Sequence, residues 1–185
     1  MPIQPDVSFS TTTLAVIDRR LRHTDPADRP ILPVVGLTLR LARPGEADAL
    51  TELVMRSKAH WGYDADFLHR VRPALTLTDR HLATTVVADL DNRAAGIATL
   101  AGKPPEGELD LLFVDPWAIG HGVGRTLFLD AVNRARACRM KRLLIESDPY
   151  AEDFYLHLGA TRIGDTISPA TGRPLPLLAV MIQPA

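Results

Sequence analysis

The chain has 185 residues, of which 46% are hydrophobic, with 21 basic and 22 acidic side chains and a formal charge of -1. This suffices for one globular domain with a buried core, and it excludes disordered, collagen-like and low-complexity classes as well as two domains of ordinary size. The balanced charge offers no global field to nucleic acid or an anionic membrane, and the single cysteine, Cys138, excludes an internal disulfide and a cysteine-based metal site, which points to a reducing, cytoplasmic setting.

At the N-terminus, Pro2, Gln4, Pro5 and Asp6 break any secretory pattern. Residues 1–36 read as a loosely ordered extension. In it a patch of Leu14, Ala15, Val16 and Ile17 precedes the basic Arg19, Arg20 and Arg22, and Pro26, Pro30 and Pro33 then interrupt regular structure. The domain is expected over residues 37–185. Leu37, Leu39 and Leu41 alternate as in a strand, and Pro44 and Gly45 open a helix with Ala49, Leu50, Leu53 and Val54 on one stripe. A second helix, carrying Phe67, Leu68 and Val71, is expected to stop at Pro73.

The pattern then turns to strands. Residues 84–88 and 95–100 flank Asp91, Asn92 and Arg93, a hairpin signal, and a third strand covers residues 109–114. Val123, Leu127, Ala131, Ala135 and Cys138 recur at helical spacing, which predicts a long helix with Cys138 buried on its apolar stripe. Leu143, Leu144 and Ile145 read as a buried strand. Asp148 and Pro149 supply an N-cap and a first-turn proline for a helix with Phe154, Tyr155 and Leu158, which Gly159 ends. Two strands, over residues 161–167 and 175–182, close the chain around a turn-rich segment. The apolar run from Leu177 to Ile182 is far short of the roughly 18 residues of a membrane span.

The segment with chemical content runs from Leu112, Phe113 and Val114 through Asp115 and Pro116 to Ile119, Gly120, His121, Gly122, Val123, Gly124 and Arg125. It is a strand, a glycine-rich loop and a helix. Free amides at a helix start attract anions, and glycines let a ligand approach the backbone, so a phosphate-bearing ligand is one reading. A tight strand-to-helix turn packed by small residues is the other. A Walker loop is excluded because Gly124, Arg125 and Thr126 lack the lysine, and a dinucleotide fold places its glycines in the first βαβ unit.

These residues resemble the GNAT superfamily of N-acetyltransferases, whose hydrophobic-Val-x-Pro stretch and Arg/Gln-x-x-Gly-x-Gly/Ala loop match Phe113 to Pro116 and Ile119 to Gly124. A second marker agrees. Ala151, Phe154, Tyr155 and Gly159 resemble the family's Ala-x-x-Phe-Tyr-x-x-x-Gly-Phe helix. The resemblance implies a mixed α/β fold, with a mostly antiparallel central sheet flanked by helices and parallel, splayed strands at the cofactor cleft. It implies that the backbone of Ile119, Gly120, His121, Gly122, Val123 and Gly124 holds the pyrophosphate of acetyl-CoA, with Arg125 beside it. Leu112, Phe113 and Val114 would grip the pantetheine arm, and Tyr155 would protonate the leaving thiolate. Asp148 is expected to cap its helix, with a cofactor contact as the lesser role. Ile119 departs from the family's Arg or Gln, which removes a side-chain contact but leaves the amide.

A finer resemblance, to one branch of the same superfamily, rests on Ser57, Lys58, Ala59, His60, Trp61, Gly62 and Tyr63 together with Ser168 and residues 172–176. It places these segments on the acceptor side. Trp61 and Tyr63 would form an aromatic wall, with Lys58 or Arg173 attracting an acidic group on the acceptor. Ordinary packing of the two aromatics and a turn-capping Arg173 are the plainer roles. For the general base, Glu108 and Asp110 stand two apart on a strand and hence on one face. His60 and His121 are further candidates. The reading is an acetyltransferase acting on a primary amine in a ternary complex with acetyl-CoA, with no metal and with a homodimer allowed by analogy. A non-catalytic acyl-CoA-binding module and a transferase of longer acyl groups are the alternatives.

Overall fold

A computed structural model describes residues 34–183. In chain order the elements are β1 (Leu37–Leu41), α1 (Ala47–Ala59), α2 (Ala65–Leu75), α3 (Asp79–Leu82), β2 (Thr85–Leu90), β3 (Arg93–Lys103), β4 (Glu106–Val114), α4 (Val123–Ala137), β5 (Arg142–Glu146), α5 (Glu152–His157), β6 (Thr161–Ile167) and β7 (Pro174–Met181). Short 3-10 turns, Pro116–Ala118 and Pro149–Ala151, lead into α4 and α5. The expected N-terminal patch and basic cluster lie outside the described residues.

The strands form one sheet in the order β1-β2-β3-β4-β5-β7-β6. Every pairing is antiparallel except β4 with β5. Those two pair only at Glu106, Gly107 and Glu108 with Arg142, Leu143 and Leu144, so β4 continues past Glu108 without β5 beside it. This divergence opens the sheet toward the C-terminal ends of the two strands. The mixed sheet is the expected one.

Alternation along the strands divides the core in two. Val86, Ala88 and Ala98 join Val123, Leu127, Phe128 and Ala131 of α4 on one face, whereas Val87, Ile97 and Leu111 join Leu50 and Val54 of α1 on the other. The β2–β3 hairpin turns on Asp91 and Asn92, both with positive φ (50° and 62°), as a two-residue turn with matched twist requires.

Three expectations give way. α2 continues through Pro73 to Leu75. The proline stands in the last turn and removes the N–H that would bond to the His69 carbonyl, and His69 is exposed, so water can serve that group. Cys138 is exposed, because α4 ends at Ala137 and the thiol falls at the C-cap, off the apolar stripe. Asp110 has no partner across the sheet: Thr99 pairs with Leu111 and Leu100 with Leu109, which leaves one extra residue on β4. This bulge reverses the pleat, so Leu109 and Leu111 enter opposite cores, and Glu108 and Asp110 do not share a face by simple alternation. α3, too short to show a period, was missed by the sequence pattern.

Candidate active site

The divergence of β4 and β5 opens on a cleft of about 590 Å³. Lys58, Trp61, Tyr63, Glu108, Asp110, Leu112, Phe113, Val114, Ile119, Gly120, Gly122, Val123, Gly124, Arg125, Asp148, Tyr155 and Arg173 all line it. Of the residues singled out for the site, only His121 and the alternative base His60 stand outside the lining. The His121 ring instead lies 3.2 Å from the Ile119 carbonyl.

The loop end is made of backbone. β4 delivers the chain to Asp115, which is buried and accepts from Arg56 of α1 at 2.6 and 3.1 Å, while its own N–H bonds to Ala95. The start of the loop is thereby pinned to both α1 and β3. Gly120 and Gly122 carry positive φ (85° and 78°), which turns the chain into α4. Their surroundings differ. A Cβ on Gly120 would meet nothing within 4 Å, whereas one on Gly122 would meet Val34 Cγ2 at 3.1 Å. Gly120 therefore faces open space, and Gly122 is backed by the segment leading into β1. The α4 N–H groups that follow, at Val123 and Gly124, have no intrahelical partner by the geometry of a helix start. Free amides so placed can cradle an anion, and the residues present fit the pyrophosphate of a coenzyme A thioester. Ile119 is 41% exposed beside it, so no basic side chain stands at the first loop position.

The opposite end is made of side chains. Asp148 receives Lys58 in an ion pair, the Tyr63 hydroxyl at 3.0 and 3.1 Å, and the Tyr150 N–H at 2.9 Å. The cap role expected of Asp148 is present, and the Lys58 ammonium is already paired with it. Tyr63 stacks on Phe67 at 4.1 Å, Trp61 stacks on Tyr150 at 5.6 Å and 7°, and the Arg173 guanidinium lies 5.5 Å from the Tyr63 ring. Burial and the Asp148 charge push the Tyr63 phenol up to about 12. Tyr150 was not singled out from sequence. Its position two residues after the Asp148 cap is the signal in the sequence that marks it.

Tyr155 and the carboxylates line the same cleft. Tyr155 is buried, packed on Phe128 and Phe154 at 5.8 and 5.0 Å, and it also lines the cleft. It is thus a core aromatic with access to the site. Burial, and then Asp148, hold its phenol above the ordinary tyrosine value. Glu108 is raised above the usual glutamate value by burial first, then by Asp110 and Glu146; Asp110 is raised by burial. Both carboxyls therefore take up protons more readily than exposed ones, as a proton acceptor near neutral pH requires. Glu146, from β5, is a further acidic neighbour that the sequence reading passed over. Among the described residues no group of three or more His, Cys, Asp or Glu could hold a metal ion, and no helix is long and apolar enough to cross a membrane.

A model of the acetyltransferase (GNAT) domain matches residues 65–170. Among solved structures, a GCN5-related N-acetyltransferase from Rhodopseudomonas palustris aligns over 82% of this chain and 99% of its own, with TM-score 0.65 and 19% identity. The ribosomal-protein-S18-alanine N-acetyltransferase from Escherichia coli aligns over 80% and 96%, with TM-score 0.60 and 19% identity. PaiA N-acetyltransferase from Thermoplasma acidophilum, in complex with coenzyme A, aligns over 78% and 98%, with TM-score 0.61 and 15% identity. At these identities the likeness is one of fold. No curated protein matches the sequence.

Proposed function

We propose that this chain, which belongs to the GNAT acetyltransferase family, transfers an acetyl group from acetyl-CoA to a primary amine by direct attack in a ternary complex. The observation that carries the reading is that one cleft between β4 and β5 is lined both by the start of α4 with its glycine loop and by Tyr155, Glu108 and Asp110. Acetyl-CoA supplies the acyl group, activated as a thioester. The Gly120 and Gly122 turn and the first α4 amides bind its pyrophosphate, and the unpaired side of β4 along Leu112, Phe113 and Val114 offers backbone groups to the amides of the pantetheine arm.

Glu108 takes the proton that an attacking ammonium must lose, directly or through water. It is the better placed of the two carboxyls, because two acidic neighbours favour its protonated form. Asp110, on the bulge, sets that environment. The amine then attacks the thioester carbonyl, the carbon–sulfur bond breaks, and Tyr155 donates its proton to the departing sulfur. The proton released as the amide forms returns to Tyr155, so one proton leaves overall with Glu108. Trp61, Tyr63 and Arg173 receive the body of the acceptor, a small molecule or a peptide.

The test has two stages. Thermal unfolding is followed with acetyl-CoA, CoA, ATP and NAD, since a ligand selective for the folded state raises the midpoint. A rise with the two CoA species alone is expected. Thiol release is then measured across a panel of amines and acyl-chain lengths. Binding without release to any amine would overturn transfer in favour of an acyl-CoA-binding module, and no midpoint shift would make the missing side chain at Ile119 decisive.

A further inference from the structure

Lys58 lies in the last turn of α1 and Asp148 follows β5, yet their side chains meet in an ion pair with only 13% and 14% of each exposed. Asp148 collects three donors: the Lys58 ammonium, the Tyr63 hydroxyl and the Tyr150 N–H. The last belongs to the turn Pro149–Ala151, from which α5 starts, and α5 carries Tyr155. One carboxylate therefore joins the acceptor-side wall to the segment bearing the phenol.

Its charge also reaches Tyr155. A phenol that gives up a proton leaves a phenolate, and a second negative charge in the same partly desolvated cleft opposes that step. A cation held against the carboxylate opposes that charge and lessens its effect. We propose that Lys58 is a positioning residue for the transfer, acting through Asp148: it ties the end of α1 to the turn that launches the Tyr155 helix and balances the carboxylate that caps that turn. This rests on the acetyl-transfer reading above. It gives Lys58 a role other than direct capture of an acidic acceptor group.

The test compares wild type, Lys58→Met, Asp148→Asn and the double variant, since asparagine keeps the cap while removing the charge. Lys58→Met is expected to lower kcat about tenfold with the acetyl-CoA KM unchanged, and the double variant to recover to within roughly threefold of wild type. In parallel, the ring-carbon NMR signal of Tyr155, assigned by its loss in Tyr155→Phe, moves in Lys58→Met and returns toward its original position in the double variant. Loss of kcat in Lys58→Met without recovery in the double variant, or a higher acceptor KM at unchanged kcat, would overturn the proposal. If wild type transfers to no amine, the transfer reading fails on its own, and an unmoved Tyr155 signal in Lys58→Met would separately refute the coupling.

Discussion

In the proposed site the cofactor end is built from backbone amides of one short run, residues 119–124, whereas the proposed acceptor end is built from side chains drawn from Lys58 to Arg173. The first surface depends on φ and ψ at two glycines and on the start of one helix. The second depends on four aromatic rings and an ion pair that meet only when α1, α2 and the segment after β5 pack together. A backbone cradle reads a feature common to all coenzyme A thioesters, while a wall of side chains can be rebuilt for a new amine without disturbing the cradle. The two ends should therefore fail separately.

Gly120→Val is expected to break the loop end most completely. Its side chain enters space that is open in the protein, so the apo fold survives at a cost of about 1–2 kcal/mol for the left-handed backbone, while CoA binding weakens at least about 100-fold. Titration calorimetry with CoA reads this, and unchanged affinity would dissociate the loop from phosphate binding. Gly122→Val is the less clean probe, because its Cβ presses on Val34 and the loss would mix ligand and protein effects.

Tyr155→Phe separates binding from chemistry at the middle of the cleft. CoA affinity should hold while kcat drops by roughly 100- to 1000-fold, in the range of a lost general acid. Full activity in steady-state assays would return Tyr155 to the core, where its packing on Phe128 and Phe154 already gives it a place.

The carboxylates predict a sign. Glu108 must be deprotonated to act and its value is raised, so kcat/KM should fall as pH drops, with a midpoint above the ordinary glutamate value of 4.5. Removing the neighbouring charge in Asp110→Asn should move that midpoint to lower pH, while Glu108→Gln should abolish the limb and lower the rate by about 10- to 100-fold. A limb that survives in Glu108→Gln and vanishes in Asp110→Asn would exchange their roles.

The smallest effect belongs to the acceptor wall. Trp61 is 40% exposed and stacked on Tyr150, so Trp61→Ala should raise the acceptor KM about tenfold and leave the CoA-induced midpoint shift unchanged. Equal changes in both would mean that the two ends are one unit.

Much of this was legible from short-range pattern. The strand-to-helix loop, α4 and the cap at Asp148 depend on residues within a few positions of each other, and glycine spacing, helical period and an Asp-Pro start are local signals. Leucine alternation likewise placed β1, and the β-rich runs about Asp91 and Asn92 placed the β2–β3 hairpin. Glu108 and Asp110 do line one cleft, but the bulge that stands where simple alternation is expected is a property of the β3–β4 pairing and carries no mark within β4 itself. Cys138 misled for a related reason: where α4 ends decides whether a periodic position is inside or out.

The sequence by itself determined the family, the alternating elements and the glycine turn into α4, because backbone geometry and hydrophobic period act over one or two turns of chain. Tertiary structure alone decided that Lys58 would meet Asp148, that Tyr150 would stack on Trp61, and that Glu108 would feel the charges of both Asp110 and Glu146. Those contacts join residues far apart in the chain, and their energies come from shared burial and opposed or paired charges, which exist only once the sheet has opened and its helices have closed around it.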